Sequence, residues 1–253
     1  MINSLIHFGC SFAMGNGVPT YVEGLESGAF VHTDALRKEF TRKYKIKPKE
    51  PQSCGSIIAK KLGFNYTRIA ENGASNEMIF RKTLETKLDN CFVLIGFTSN
   101  NRREGLTTLR RSSHWHTWKM KAPGEVAKYK DLIFSPWKDE YKPAIEEEGQ
   151  IRTLIQIIYM QNYFKSNNIP YLMFNALWNG FDIPLTKECG ELLGQVDEKC
   201  FYKLRGTSQE TQHGWCVKRK LNVSDLDDHP NLQGQEAWAE ELLPQVKAVL
   251  DAN

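Results

Sequence analysis

Features that would direct a protein into a membrane or out of the cell are missing from this sequence of 253 residues. No window comes near the roughly 18 consecutive apolar residues that a membrane-spanning helix needs. The opening run, Met1 to Ser11, has no basic residue ahead of a very short apolar segment, so it does not fit a secretory signal peptide. The sequence therefore predicts a cytoplasmic protein with no membrane partner.

A strong excess of charge of one sign is also absent. The formal net charge is +3, whereas nucleic-acid-binding domains usually carry a larger and more clustered basic surplus. The densest basic runs, residues 37–49 and 102–111, are typical of solvated surfaces. We therefore expect no nucleic-acid partner.

The cysteines and histidines do not form a recognisable metal-binding pattern. The six cysteines include no CxxC pair, so free buried thiols are the simplest interpretation, with a Cys189–Cys200 disulfide as the alternative. His114 and His116, like residues 213–216, have ligand-like spacing, but no carboxylate or thiol partner is obvious near the first pair. We expect no metal and no organic cofactor.

What the sequence does contain is an alternation of apolar strands and amphipathic helices. Strand-like runs cover residues 5–9, 65–70, 91–98 and 171–176, and helical periodicity covers 53–62, 76–88, 147–165 and the segment after Pro230. Such alternation is typical of parallel sheets, whose strands are joined by crossover helices. The sequence predicts an α/β fold, a three-layer α/β/α (flavodoxin-like) arrangement with a mainly parallel sheet of about five strands.

Two stretches, residues 100–146 and 178–225, do not fit this alternation because their periodicity is weak. Each follows the end of a strand, so we expect long loops at the carboxyl edge of the sheet, where open α/β sheets bind ligands. We interpret residues 1–253 as a single domain that carries these two loop insertions.

A glycine-rich segment, residues 9–17 (GCSFAMGNG), follows the first strand. Its glycines permit a tight strand-to-helix turn that presents Ser11 at the sheet edge, where helix amino-terminal amides can hold a developing oxyanion. A turn serine that caps a helix is one alternative. A phosphate-binding loop is another, although the segment matches neither GxGxxG nor GxxxxGK(S/T).

Polar residues also follow the second and third strands. The backbone N–H of Gly73, in the segment 71–76, can serve as an oxyanion donor, although Asn72-Gly73 is also a common turn dipeptide. After the third strand, Thr98 and Asn100 offer side-chain donors and Arg102 offers a fixed positive charge. Ordinary loop chemistry is the alternative for this segment.

A histidine flanked by carboxylates precedes the last helix. A serine hydroxyl is a poor nucleophile until a base takes its proton, and His229 suits that role. The histidine in turn needs a carboxylate to orient it, which Asp227 or Asp228 can supply from the same segment. Pro230 and Asn231 suit a helix start, so an ordinary polar residue before a helix is the alternative for His229.

The four segments, in this order, resemble the sequence blocks of the SGNH (GDSL-type) esterases and lipases. The resemblance runs from about residue 4 to residue 250 and leaves out the two long stretches. It implies Ser11 as the nucleophile, His229 as the base and an aspartate as the acid. It also implies an oxyanion hole built from the backbone N–H groups of Ser11 and Gly73 and a side-chain donor of the third block.

The first and third blocks depart from the family pattern. Cys10 stands where the Gly-Asp-Ser block has its aspartate, a structural position rather than the nucleophile. The third block, residues 96–99, lacks the asparagine of Gly-x-Asn-Asp, so either Thr98 donates the hydrogen bond or Asn100 reaches back. Loss of one oxyanion donor costs roughly 10²- to 10³-fold in turnover, which leaves catalytic competence open.

The last block departs from Asp-x-x-His, because Leu226 stands three residues before the histidine. We assign Asp227 as the acid, with Asp225 and Asp228 as alternatives. Gly-x-Thr-Ser followed by arginine, together with Asp-x-His-Pro-Asn, is similar to SGNH-like proteins of phage genomes. This similarity implies a virion-associated location or a homo-oligomeric assembly as a further expectation.

The resulting hypothesis is a serine ester hydrolase, either an esterase or a carbohydrate O-deacetylase, acting on a small ester or an O-acylated carbohydrate. Arg102 and Trp115 are candidate substrate-binding residues, although Trp115 also suits a small core within its own loop. The alternative is a non-catalytic SGNH-fold protein, a phage structural or glycan-binding protein. A Rossmann-like nucleotide-binding protein is disfavoured, because no acidic residue completes a dinucleotide motif after the second strand.

Overall fold

A computed structural model describes residues 2–15, 52–100, 102–109, 112–119, 142–224 and 227–252. For residues 105–109, 112–119, 142–145, 224 and 227 it describes the backbone alone.

Strands and helices alternate through most of the described chain. The strands are β1 (Ser4–Gly9), β2 (Asn65–Ala70), β3 (Cys91–Phe97), β4 (Arg102–Leu109), β5 (Ser112–Lys119), β6 (Tyr171–Asn175), β7 (Phe201–Tyr202), β8 (Asn222–Ser224) and β9 (Asp227–Pro230). The α-helices are α1 (Cys54–Leu62), α2 (Asn76–Glu85), α3 (Lys142–Ser166), α4 (Lys187–Leu193), α5 (Gln212–Lys218) and α6 (Leu232–Asp251).

The main sheet has five parallel strands in the order β2-β1-β3-β6-β7. This arrangement confirms the predicted α/β fold with its mainly parallel sheet. Because β1, β2 and β3 are parallel, the chain leaves all three strands at the same edge of the sheet. The end of β1 is in the middle, because β1 lies between β2 and β3. That edge is where the four polar segments of the sequence come together.

Helices pack on both faces of this sheet, and side-chain alternation along the strands separates the two cores. Leu5 and Leu94 belong to the core with α1, α5 and α6, whereas Ile6 and Ile95 belong to the core with α2, α3 and α4. β3 is buried at every residue, as expected for a parallel strand that helices cover on both sides.

Polar residues begin two of the helices close to the predicted positions. The Ser75 side chain accepts a hydrogen bond from the N–H of Met78 at the start of α2, and Asn231 accepts one from Gly234 at the start of α6. Both follow the usual N-cap rule, in which a side-chain oxygen satisfies a free helical N–H.

The two stretches expected to be long loops contain secondary structure of their own. Residues 102–119 form the antiparallel hairpin β4–β5, and α3 begins at Lys142 rather than near residue 147. Residues 178–225 contain the seven-residue helices α4 and α5 and the two-residue strand β7. Elements this short carry too few residues to reveal a period in the sequence.

In the described part of the chain, no helix is both long and apolar enough to cross a membrane. The six cysteines are free thiols, and five of them are buried while Cys200 is half-buried.

Candidate active site

Ser11 and His229 meet at the carboxyl edge of the sheet. The Oγ atom of Ser11 lies 2.9 Å from Nε2 of His229, although 218 positions separate the two residues along the chain. Ser11 follows β1 and His229 lies on β9. Ser11 is nearly buried, with 7% of its surface exposed. The distance is within the range in which an imidazole can accept a hydroxyl proton.

A tight turn after β1 presents Ser11. The N–H of Met14 donates to the carbonyl of Cys10 at 3.1 Å, and that of Gly15 donates to Phe12 at the same distance. A Cβ on Gly9 would lie 2.7 Å from the Cβ of Ala13, so only glycine lets the turn fold back onto the end of the strand. This accounts for the glycine before the serine.

Phe12 and the β8–β9 hairpin hold His229. The Phe12 ring is buried and packs against the imidazole with 5.2 Å between ring centroids. On the other side of the hairpin, the Asn231 side chain donates to the carbonyl of Asn222 at 3.1 Å. The neighbour of the nucleophile thus positions the base, a role that the sequence did not reveal because aromatic residues are common in any core.

Of the three candidate aspartates, Asp228 is directed at a different histidine. Its Oδ2 atom lies 3.4 Å from Nε2 of His213, and the residue is exposed. The backbone of Asp227 lies in β9, but its side chain is outside the described part of the structure. Asp225 lies outside the described residues. The choice of Asp227 therefore stays a prediction.

Gly73 and Thr98 emerge on either side of Ser11. Gly9 pairs with Ala70 on β2, and Phe8 pairs with Ile95 on β3, so the chain after each flanking strand leaves the sheet beside Ser11. Gly73 is exposed and has a φ of 73°, a conformation that glycine adopts without strain. The Thr98 side chain is fully buried, and among the described residues its hydroxyl has no hydrogen-bond partner.

Asn76 joins these two flanking segments. The N–H of Thr98 donates to its Oδ1 atom at 2.8 Å, and its Nδ2 atom donates to the Thr98 carbonyl at 3.1 Å and to Oγ1 of Thr153 at 3.2 Å. Sequence reasoning assigned no role to Asn76. The available signal was its position as the last residue of the polar segment that follows the second strand.

The other predicted site residues lie around this edge. Asn100 donates to the carbonyl of Asn179 at 2.6 Å, which draws it towards the chain after β6 rather than towards Ser11, and its oxyanion role stays a prediction. Nη1 of Arg102 donates to the carbonyl of Ala74 at 3.2 Å. Trp115 has its backbone in β5, and its side chain is outside the described part.

A cluster of ion pairs lies beside the site, which we call the arginine–glutamate cluster. Its members are Arg81, Arg103 and Arg152 with Glu77, Glu104 and Glu148. Burial raises the pKa of the Glu77 carboxyl above its usual value, although Arg103 acts in the opposite direction. In the part of the chain that the structure describes, no three histidine, cysteine or acidic side chains gather as a metal site.

Comparison with known proteins gives likenesses of fold only. No family model matches the sequence, and no curated protein matches it. An acetyl xylan esterase from the rumen bacterium Butyrivibrio proteoclasticus has a TM-score of 0.48 at 13% identity, over 98% of this chain and 64% of its own. A lipase from a goat rumen metagenome has a TM-score of 0.48 at 10% identity, over 96% of this chain and 97% of its own.

A third solved structure is a carbohydrate esterase family 2 enzyme with a carbohydrate-binding domain, from Corynascus thermopiles. It has a TM-score of 0.45 at 12% identity, over 98% of this chain and 67% of its own. The chain thus spans about two thirds of the length of both carbohydrate esterases. These comparisons do not test the similarity to phage proteins, which stays a prediction.

Proposed function

We propose that this protein is a serine ester hydrolase of the SGNH type, acting on a small ester or an O-acylated carbohydrate. The observation that carries the proposal is the 2.9 Å approach of Ser11 Oγ to His229 Nε2. Two residues so far apart in sequence have been brought to hydrogen-bond distance at the carboxyl edge of an open parallel sheet, where such folds bind ligands.

In the reaction, Ser11 Oγ attacks the acyl carbon while its proton passes to Nε2 of His229. The resulting tetrahedral intermediate loses the alcohol, which takes the proton back from His229, and an acyl-serine remains. A water molecule then gives a proton to His229 and attacks the acyl carbon. The carboxylic acid leaves, and the proton returns to Ser11. No step needs a cofactor.

We assign Asp227 as the residue that orients His229. In a strand, neighbouring residues face opposite sides and residues two apart share a face. Asp228 precedes His229 directly and pairs with His213, which favours Asp227 over it. The oxyanion donors in this proposal are the backbone N–H groups of Ser11 and Gly73 and the hydroxyl of Thr98.

Thr98 is preferred to Asn100 as the side-chain donor because the Thr98 hydroxyl has no partner among the described residues. Leaving a buried hydroxyl unpaired costs about 1–3 kcal/mol. A substrate oxyanion would supply the missing acceptor. Asn100, in contrast, already donates to Asn179.

The test is hydrolysis of p-nitrophenyl acetate, together with labelling by a fluorophosphonate probe. We expect the wild type to hydrolyse the ester and to be labelled at Ser11. Ser11→Ala should abolish labelling and lower kcat roughly 10⁴- to 10⁶-fold. His229→Gln should do nearly the same, since the two residues act as one unit.

Ser4→Ala is the matched control, because Ser4 lies at the opposite end of the same strand and its hydroxyl is bonded to the carbonyl of Asn90. It should keep full activity. If folded wild-type protein takes up no fluorophosphonate at Ser11, the proposed function is wrong.

A further inference from the structure

Arg102 differs from the arginines next to it. Arg81, Arg103 and Arg152 each hold one or more carboxylates of the arginine–glutamate cluster. Among the described residues, Arg102 pairs with no carboxylate, and its hydrogen-bond partner is the main-chain carbonyl of Ala74. Arg102 is also partly buried. A partly desolvated guanidinium without a counter-ion attracts an anion more strongly than a fully hydrated one does.

Arg102 is anchored to both segments that flank the nucleophile. Its side chain donates to Ala74, the residue after Gly73. Its own N–H donates to the carbonyl of Ser99, the residue after Thr98, at 3.2 Å. The guanidinium is therefore held beside the two proposed oxyanion donors, Gly73 and Thr98, at the edge where an ester would bind.

We propose that Arg102 binds a carboxylate of the substrate, so that the ester hydrolysed at Ser11 is carried by an acidic molecule such as an O-acylated sugar acid. The proposal rests on the proposed function. The donation to Ala74 uses Nη1, and the remaining N–H groups of a guanidinium form a planar fork that matches a carboxylate.

A monoanion fits this position better than a phosphate dianion. Arg102 contributes one positive charge, and its arginine neighbours are already paired with glutamates. A dianion would meet those glutamates without a second unpaired arginine of the cluster to balance it. One guanidinium and one carboxylate neutralise each other.

The experiment compares two substrates that differ only in charge: O-acetylated methyl glucuronoside with a free carboxylate, and its neutral uronamide. Acetate release is measured for the wild type, Arg102→Gln and Arg102→Lys. Arg205→Gln is the control, since Arg205 is exposed, pairs with Glu198 and follows β7, the outer strand on the other side of the sheet from β2. Binding of both compounds is also measured by titration calorimetry in the Ser11→Ala background, where turnover does not interfere.

We expect the wild type to prefer the uronate. Arg102→Gln should lower kcat/KM for the uronate about 10- to 100-fold, mainly through KM, because a charge-assisted hydrogen bond is lost. The uronamide should be unaffected, Arg102→Lys should keep part of the preference, and Arg205→Gln should match the wild type. The calorimetric affinity should fall for the uronate alone.

An Arg102→Gln enzyme that keeps the uronate preference, or that loses activity on both compounds equally, would overturn the proposal. So would glucose 6-phosphate competing more strongly than glucuronate, since that would indicate a phosphate site. If the wild type hydrolyses neither these compounds nor p-nitrophenyl acetate, the proposed function fails. The titration then still decides whether Arg102 holds a carboxylate.

Discussion

Both polar atoms of the Asn76 side chain are hydrogen-bonded to the main chain of Thr98, at 2.8 Å and 3.1 Å. Asn76 follows β2 and Thr98 follows β3, while β1 lies between these strands in the sheet. One amide thus ties together the two segments that flank the end of β1, where Ser11 stands. We infer that Asn76 is a positioning residue for the oxyanion donors.

Asn76→Ala should destabilise the protein and also lower turnover by more than the loss of folded protein explains. The side chain is buried, so its removal leaves the Thr98 N–H and carbonyl without these partners. The loss should lower the free energy of unfolding by about 2–4 kcal/mol. Thermal unfolding gives the stability, and kcat of p-nitrophenyl acetate hydrolysis at a temperature where the variant is folded gives the effect on chemistry.

Gln161→Ala is the matched control for Asn76→Ala. Gln161 is also buried and also pairs with a main chain through both polar atoms, since it accepts from the N–H of Asp197 at 2.8 Å and donates to the Asp197 carbonyl at 3.0 Å. It lies on α3, away from Ser11. Both variants should lose similar stability, but only Asn76→Ala should lose kcat. Equal kcat values would mean that Asn76 is purely structural.

Thr98→Val should reduce activity without reducing stability. The substitution keeps the shape of the side chain and removes a hydroxyl that has no partner among the described residues, so the free energy of unfolding should stay level or rise slightly. Turnover should fall roughly 10²- to 10³-fold if that hydroxyl stabilises the oxyanion. The comparison is Thr83→Val, whose hydroxyl donates to the carbonyl of Ile79 at 2.8 Å. That variant should lose some stability and keep its activity.

Among the three aspartates, replacement of Asp227 should affect catalysis most. Asp227→Asn should lower kcat roughly 10³- to 10⁴-fold, because an amide cannot hold the imidazole in the required tautomer. Asp228→Asn should stay close to wild type, since Asp228 pairs with His213. Steady-state kinetics of the three Asp→Asn variants decides between them. A large loss in Asp225→Asn with an active Asp227→Asn would transfer the role to Asp225.

His7 should make the protein less stable in acid. Burial, with a smaller effect of Arg68, lowers the pKa of His7 to about 3, whereas an unfolded histidine has a pKa near 6.5. Between these values the unfolded state binds the proton and the folded state does not. The free energy of unfolding should therefore fall as pH drops from about 6.5 towards 3, by up to about 1.4 kcal/mol per pH unit from this group.

Urea unfolding of the wild type and His7→Gln across that pH range measures the contribution. Every other titrating group is common to the two proteins, so the difference between their plots of unfolding free energy against pH is the contribution of His7. The curve of the variant should be flatter. Parallel curves would show that the imidazole of His7 is protonated in the folded protein.

Two helical glycines should respond in opposite ways to alanine. A Cβ on Gly55 in α1 would lie 2.8 Å from Cγ of the buried His7 ring, whereas the nearest atom to a Cβ on Gly190 in α4 is 4.0 Å away. We expect Gly55→Ala to destabilise the fold by about 1–3 kcal/mol through overpacking. Gly190→Ala should stabilise it by about 0.5–1 kcal/mol through helix propensity. Differential scanning calorimetry gives both values, and a Gly55→Ala protein as stable as the wild type would contradict the packing at His7.

Much of the fold could be predicted because its signals are local. The predicted second strand matches β2 residue for residue, and the helix predicted to end before Gly63 is α1. A strand buried on both faces must be apolar throughout, and a helix on one face must repeat its apolar residues at the helical period. The short elements of residues 178–225 have neither signal, so the fifth strand, β7, could not be placed.

The candidate site, too, could be predicted only where its signals are local. A serine in a glycine-rich turn after a strand, and a histidine among aspartates before a helix, were visible as separate segments of the sequence. The partner of each aspartate was not visible. Asp228 faces His213 because the β8–β9 hairpin packs against α5. No sequence motif links these two segments, so their contact could not be predicted from the sequence.

By itself, the sequence determined which residue types stand at the ends of the parallel strands, because turn glycines and buried apolar runs obey short-range rules. Only the tertiary structure decided that Ser11 and His229 share a hydrogen bond, that Asn76 ties Thr98 in place, and that Arg102 is held beside Gly73. The Asn76–Thr98 contact depends on the order of strands in the main sheet, and the other two involve β9 and β4, which belong to separate two-stranded sheets. These arrangements are settled by packing across the whole chain rather than by any neighbouring residue.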